Sequence, residues 1–564
     1  MTKKILTTKL GYLLGVSAFV MAAPQAWAQT ANPAGDVLRN IEQNRPSLAP
    51  SAPKPAAKRP EVPATTDQGF ARLKEIKVNS QLLRDELTAY WLSDLNKPVS
   101  AQKLADFKAF AWDLFQSKGY LAYINTSAQA TPDGSVLTVN VTIPSVGKVT
   151  VVTTEKNKGI EYAEDVAARF STAYPVGAPV DVLGFESQLN AITYDLPVDL
   201  EVSMSQVNDK TVDVVINLRP IKEVAPFSVL GGAVQANNYG LSQFGRAQVM
   251  GAVRVAGLTP LSEMSLITQL SEGVQYYRAD YEAPIVGTGT RWKLYTTHVD
   301  SKATNVKGQS NEWGGALTKL ISSDRVTRWL ASTEASRGTT HNWSAGLETA
   351  NRVDDQFRLR LRSESTKGLF DNLTNEFLLT AGRMDLSKFA DDYTLDQAAG
   401  TGPHVAGTYQ KFELRGGLSH ALDNERQVTG SVRWRSQYAS KNLDTANRLS
   451  LGGINGIRTL TSLDGVGDHG AQMSFDLVHQ ARADVYAGLF YDVGVIKPYA
   501  NAITGVDNSR YTLQGGGYQI GGSISEVKWV MSVGRSFGKT PTNWTTANTP
   551  IGTTRVNFAA TYAF

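Results

Sequence analysis

The sequence contains no cysteine among its 564 residues, which excludes a disulfide framework, a thiolate-ligated zinc or iron–sulfur site and a thiol nucleophile. Histidine is scarce as well. The six of them (298, 341, 404, 420, 469 and 479) are scattered without ligand spacing, and no serine, histidine and acid grouping stands out. The chain therefore reads as a non-enzyme with no metal and no cofactor. Charge of one sign is also lacking. The formal charge is +4, and Lys3, Lys4 and Lys9 sit in an N-terminal stretch without acids, so the rest is close to neutral and has no electrostatic footprint for nucleic acid. Beyond that stretch no run of 18 apolar residues occurs, so no helix is long and apolar enough to span a bilayer.

What is present begins with a secretory pattern: a basic region at Lys3, Lys4 and Lys9, an apolar region from Leu10 to Ala22, and Ala26-Trp27-Ala28 as an A-x-A cleavage site before Gln29. Residues 1–28 are expected to be a removable signal peptide. Within residues 29–45, the stretch from Asp36 to Asn44 predicts a short helix with Val37, Leu38 and Ile41 on one side and Pro46 just beyond. It is too short to be stable alone and needs a docking site. Residues 46–69 carry Pro46, Pro50, Pro53, Pro55, Pro60 and Pro63. Such a semi-rigid linker reaches roughly 75 Å.

Two units of the same order follow, over 70–144 and 145–221. In the first, a strand from Phe70 and a helix in Leu82–Leu92 precede a second helix, where Leu104, Phe107, Ala111, Leu114 and Phe115 recur at helical spacing before Gly119. A hairpin then turns at Pro132-Asp133-Gly134. The second unit repeats strand, helices and a hairpin around Asn208-Asp209. From about residue 222 to 564 the periodicity changes to two. Tyr277, Ala279 and Tyr281 alternate with Arg278, Asp280 and Glu282, and Val432, Trp434 and Tyr438 with Arg433, Arg435 and Gln437. One face is apolar and aromatic, the other ionisable, as in a membrane barrel with a wet lumen. The segment is too long for one ordinary sandwich, and an even number of strands, sixteen, is expected. It ends on a further alternating strand in which Phe558, Tyr562 and Phe564 share the apolar face.

In that order, leader, short helix, proline-rich linker, two β-α-α-β-β units and a sixteen-strand barrel resemble the two-partner secretion translocators (TpsB proteins), the units being similar to polypeptide-transport-associated (POTRA) domains. The family's local marker is a long loop that folds back into the barrel with paired glycines, V-R-G-Y/F and G-D-x-G. Here, within about 441–470, stand Gly452-Gly453, Ile457-Arg458-Thr459-Leu460 and Gly467-Asp468-His469-Gly470. Thr459 and Leu460 replace the glycine and the aromatic. F-x-D-x-G appears as Phe490-Tyr491-Asp492-Val493-Gly494.

The resemblance implies a membrane β-barrel of about sixteen antiparallel strands, two periplasmic α+β POTRA domains and an N-terminal plug helix. It also implies an outer-membrane secretion function: an unfolded exoprotein (TpsA) is captured by the POTRA domains and passed through the pore. The implied partners are that exoprotein, outer-membrane lipid and, through the terminal strand, the barrel assembly machinery, with no nucleic acid and no nucleotide. Independently of any family, an arginine at the tip of a lumenal loop needs an anion. If Leu489, Tyr491 and Val493 face lipid, Phe490 and Asp492 point inward, and a bidentate contact between Arg458 and Asp492 would pin the loop.

Competing readings are a barrel insertase of the same superfamily, which usually carries more POTRA domains and no plug, a passive porin, and a barrel-embedded hydrolase. The G-x-G-x-x-G match at Gly465–Gly470 follows no buried parallel strand and opens no helix, so it is not read as a dinucleotide site. Asp464, Asp468 and His469 read as a polar loop and not as a metal site.

Overall fold

The computed structural model describes residues 34, 37, 38, 41, 69–153, 160–208, 210–221, 224–324, 326–366, 370–545 and 548–564. The leader at 1–28, the linker at 46–68 and Asp209 of the second hairpin lie outside the described residues.

Each N-terminal unit is a three-stranded sheet covered by helices. The first contains β1 (Leu73–Val78), α1 (Arg84–Ala89), α2 (Ala101–Ser117), β2 (Tyr123–Thr131) and β3 (Gly134–Thr142). Its order is β1-β3-β2, with β3 parallel to β1 and antiparallel to β2. The Ser100 side chain caps α2 by accepting from the Lys103 N–H at 3.1 Å, and Gly119 at φ +88° provides the left-handed residue after it. The apolar stripe of α2 then meets the inward residues of β3: Leu104, Phe107, Ala111 and Phe115 pack with Leu137 and Val139.

The second unit repeats this with β4 (Ser145–Thr153), α3 (Ile160–Ala173), α4 (Val182–Thr193), β5 (Val198–Asn208) and β6 (Thr211–Pro220), in the order β4-β6-β5. Val212, Val214, Ile216 and Leu218 of the central strand β6 form its core with Val166, Phe170, Phe185 and Ile192.

From Val229 onward sixteen antiparallel strands form a closed barrel, so the expected fold class and strand number are borne out. Strands run from nine residues at Val229–Asn237 to twenty at Leu347–Thr366. The seam between the first strand and the last is short. Thr554–Ala563 pairs with Val229–Asn237 over five residues, from Ala559↔Asn237 to Ala563↔Ala233. Phe564 extends it by exchanging backbone hydrogen bonds with Gly232 at 2.8 and 3.0 Å. The Phe564 ring lies where a Cβ on residue 232 would be, 2.5 Å from its tip, which explains the glycine.

Phe357, Leu359, Leu361, Phe377, Leu379 and Phe412 are exposed on the outer wall, while inward positions carry paired charges such as Arg278–Asp280 (2.8 Å) and Arg358–Glu334 (2.5 Å). The second unit sits against the barrel turns. Fully buried Asp195 accepts from the Gly289 N–H at 2.6 Å and pairs with Arg169 at 2.9 Å, and the Asn190 side chain donates to the Ser323 carbonyl at 2.8 Å. This defines one end of the barrel, with the long loop at the other.

Phe107 is fully buried, so in a fragment of residues 69–221 the change Phe107→Ala is expected to cost ~3–5 kcal/mol. Urea denaturation of the fragment and its variant checks this, and non-cooperative unfolding of the parent would show that the units cannot stand alone.

Candidate functional site in the barrel lumen

Between the strands Val428–Ala439 and His469–Arg482 the chain turns back into the lumen. A two-residue ladder, Leu449–Ser450 with Val466–Gly467, closes the base of this excursion. Leu449, Leu451, Ile457 and Leu460 then bury themselves against Ile496 and Leu513 of the wall. At the tip lies Arg458, only 4% exposed. Its Nη2 meets Asp492 Oδ1 at 2.7 Å, and its Nε and its own backbone N–H both donate to Asp492 Oδ2, at 3.0 and 2.9 Å. The carboxylate thus grips both the side chain and the main chain of the loop. This fork-on-fork geometry is the strong form of the pair.

Two further contacts complete the site. Arg458 Nη1 reaches Asp476 Oδ1 at 2.5 Å, and its guanidinium lies 4.1 Å from the centre of the Phe490 ring. Asp476 is itself shared with Arg433 at 3.5 Å, so two cations and two acids balance. Asn557 on the last strand donates to the Arg458 carbonyl at 2.9 Å. The loop tip is therefore held by three separate strands.

The substitutions that set the tip apart have a physical explanation. Thr459 is not among the residues with positive φ, so the turn does not require glycine. Its side chain presses on the wall where residues 515 and 534 are both glycine, and a Cβ at either would fall within 3.0 Å of it. Leu460 is fully buried in the apolar cluster with Leu449 and Leu513. The aromatic contact to the arginine comes from Phe490 on the strand instead. Gly494 leaves room for Leu451, whose methyls would lie 2.9 and 3.0 Å from an added Cβ.

Asp464 and Asp468, read from the sequence as part of a polar loop, are fully buried anchors of that loop. Asp468 pairs with Arg448 at 3.0 Å and accepts from the Leu443 and Ala500 N–H groups. Asp464 accepts from both the N–H and the hydroxyl of Thr549, at 2.9 and 2.6 Å, tying the loop to the connection between the last two strands. Asp476, the second acid on Arg458, does not stand out in the sequence; its signal is the alternation of Met473, Phe475 and Leu477 outward against Ser474 and Asp476 inward.

The N-terminal helix is also inside. Val37 and Ile41 are buried among Leu241, Phe244, Ile267, Val274, Tyr276 and Val299, with Leu38 and the loop's Leu463 against the same cluster. The Ala34 N–H donates to Asn342 Oδ1 at 3.3 Å. Beside Leu38 remains a charged cavity of about 310 Å³, lined by Glu312, Glu334, Arg358, Lys411 and Arg435. Among the described residues no cluster of metal-ligating side chains occurs. Phe558, Tyr562 and Phe564 face outward from the last strand, exposed beside the seam.

No family model matches the chain. The heme/hemopexin transporter protein HuxB of Haemophilus influenzae is 20% identical over 519 residues, covering 87% of both chains. The solved structure of CdiB from Escherichia coli superposes with a TM-score of 0.57 at 17% identity over 96% of this chain and 97% of that one. CdiB from Acinetobacter baumannii gives 0.55 at 14% identity, over 96% and 99%. The resemblance to two-partner secretion translocators of the TpsB kind is borne out, and the fold is that of an outer-membrane barrel.

Removing Arg458 leaves Asp492 and Asp476 facing each other in a buried site, whereas removing Asp492 leaves the arginine one acid. Arg458→Ala is therefore expected to be the more damaging change, up to ~3–5 kcal/mol before any relief from lumenal water. The double change with Asp492→Ala should be less than additive. Heat-modifiability of the barrel on gels, across the two singles and the double, measures the order.

Proposed function

We propose that this protein is the outer-membrane translocator of a two-partner secretion system, exporting a TpsA-like exoprotein through its barrel. The observation that carries this reading is a closed sixteen-strand barrel whose lumen is filled by the N-terminal helix and the Arg458 loop, and which is preceded by two POTRA-like units, the second seated on its rim. A passive porin has no use for the units. The relatives are transporters and translocators, which supports a transport reading.

The steps follow from the geometry. The outer edges formed by β2 and β5 accept an extended segment by strand addition, with specificity from the apolar side chains that alternate along it. Passage requires the helix to leave, because an α-helix is about 10–12 Å across and this one occupies the lumen beside the 310 Å³ cavity. Val37 and Ile41 are gripped by apolar burial and the Ala34 N–H by the Asn342 side chain, and a client has to displace both. The Arg458 loop stays fastened by charge and lines the path. No nucleotide site is needed if folding of the client outside gives direction. The outward Phe558, Tyr562 and Phe564 are the surface by which the assembly machinery would recognise the last strand.

Ile41→Asp puts a carboxylate into an apolar pocket and is expected to release the helix, raising single-channel conductance in planar bilayers while secretion of the exoprotein encoded alongside continues. Secretion is the deciding assay: no exported client from the parent chain, with a correctly inserted barrel, would overturn the reading.

A further inference from the structure

Among the described residues, the Arg383 side chain on the outer wall makes neither a hydrogen bond nor an ion pair. Asp385, two positions on, feels its charge without contacting it. Met384 is buried inside with Tyr409, so the adjacent Arg383 faces away from the lumen, and it is exposed. It ends an outward column that runs through Leu373, Asn375, Phe377, Leu379 and Ala381. The ten residue steps from Leu373 to Arg383, at ~3.3 Å each, make about 33 Å along the strand, which a tilt of ~35–45° reduces to about 25 Å, the height of the apolar band of an outer-membrane barrel. Arg383 thus stands just past the hydrocarbon, at the end of the barrel that carries the long loop, away from the periplasmic units.

Strand register places two further charges at its level, Arg337↔Asp355↔Arg383. Arg337 and Asp355 satisfy each other, with Nε–Oδ1 at 2.8 Å and Nη2–Oδ2 at 3.0 Å. The row holds two guanidinium groups for one carboxylate, which leaves Arg383 open to an anion. Directly below, the small residues Ala335 and Ala381 make a depression beside exposed Phe357. This groove, about 820 Å³, is lined also by Arg383, Thr408 and Gln410. An apolar trough beneath a vacant cation, at the boundary of hydrocarbon and water, matches a molecule that has acyl chains below a phosphate.

We propose that this groove seats one phosphorylated, multiply acylated lipid of the outer leaflet, with an acyl chain against Ala335, Phe357 and Ala381 and a phosphate on Arg383. The lipid is the occupant because the groove opens on the membrane itself and its charge is complementary to a phosphate headgroup. Bound there, it braces the wall of strands from Thr327 to Asp385 on its membrane side.

The test titrates the full-length protein, in uncharged detergent, with bisphosphorylated lipid A and counts bound lipid by native mass spectrometry. Arg383→Gln should weaken binding about fivefold, the worth of one cation near a charged surface, and Arg383→Lys should keep most of it. Lipid A stripped of both phosphates should bind the parent no better than the intact lipid binds Arg383→Gln. Ala381→Trp, which fills the trough, should weaken both lipids. Equal binding of intact lipid A to the parent and Arg383→Gln, with both barrels heat-modifiable, would overturn the proposal, as would equal binding of the two lipids to the parent.

Discussion

A strand placed in hydrocarbon cannot leave its backbone N–H and C=O groups unpaired, and that constraint organises this molecule. It forces sixteen strands to close on themselves, and closing them creates an interior that must be wet or filled. The weakest place in the ring is where it joins. Five registered pairs, the Phe564–Gly232 exchange and the Asn238 side chain, which accepts from the Phe558 N–H and donates to the Val556 carbonyl, hold the seam. An amide side chain there stands in for the missing strand.

Filling the lumen raises a second problem, because charges taken out of water need partners. The lumen answers it with buried arginines from the loop and from the wall, each placed between anions or between an anion and a ring. Arg458 has Asp492, Asp476 and Phe490, Arg448 has Asp468 and Tyr499, and Arg352 has Asp392 and Asp444. These contacts are directional and costly to break singly, which suits a permanent lining. Among the described residues of the N-terminal helix, Val37 and Ile41 are held by apolar burial, which has no preferred direction, and the Ala34 N–H is bonded to Asn342.

The second POTRA-like unit is joined to the barrel by polar contacts of a similar kind. Asp195 is fully buried and shared between Arg169 of its own unit and the Gly289 N–H of a barrel turn, so the helix pair of the unit and the barrel rim are oriented by one carboxylate.

By itself the sequence determined whatever depends on local period and spacing. Two-residue alternation from about residue 222 specified a barrel, helical spacing and turn residues specified two repeated β-α-α-β-β units, and the motifs around Arg458 and Asp492 drew attention to both, 34 positions apart. Tertiary structure alone decided who meets whom. Tyr276, assigned to the polar face by alternation, serves as apolar bedding for the N-terminal helix. Asp476 joins the Arg458 site only because the register sets Asp476 opposite Phe490 on the neighbouring strand. Asp464 and Thr549 are 85 residues apart and Asp195 and Gly289 are 94 apart. Period is a property of each short segment, whereas register, shear and the path of a loop through the lumen are fixed only when the last strand closes on the first.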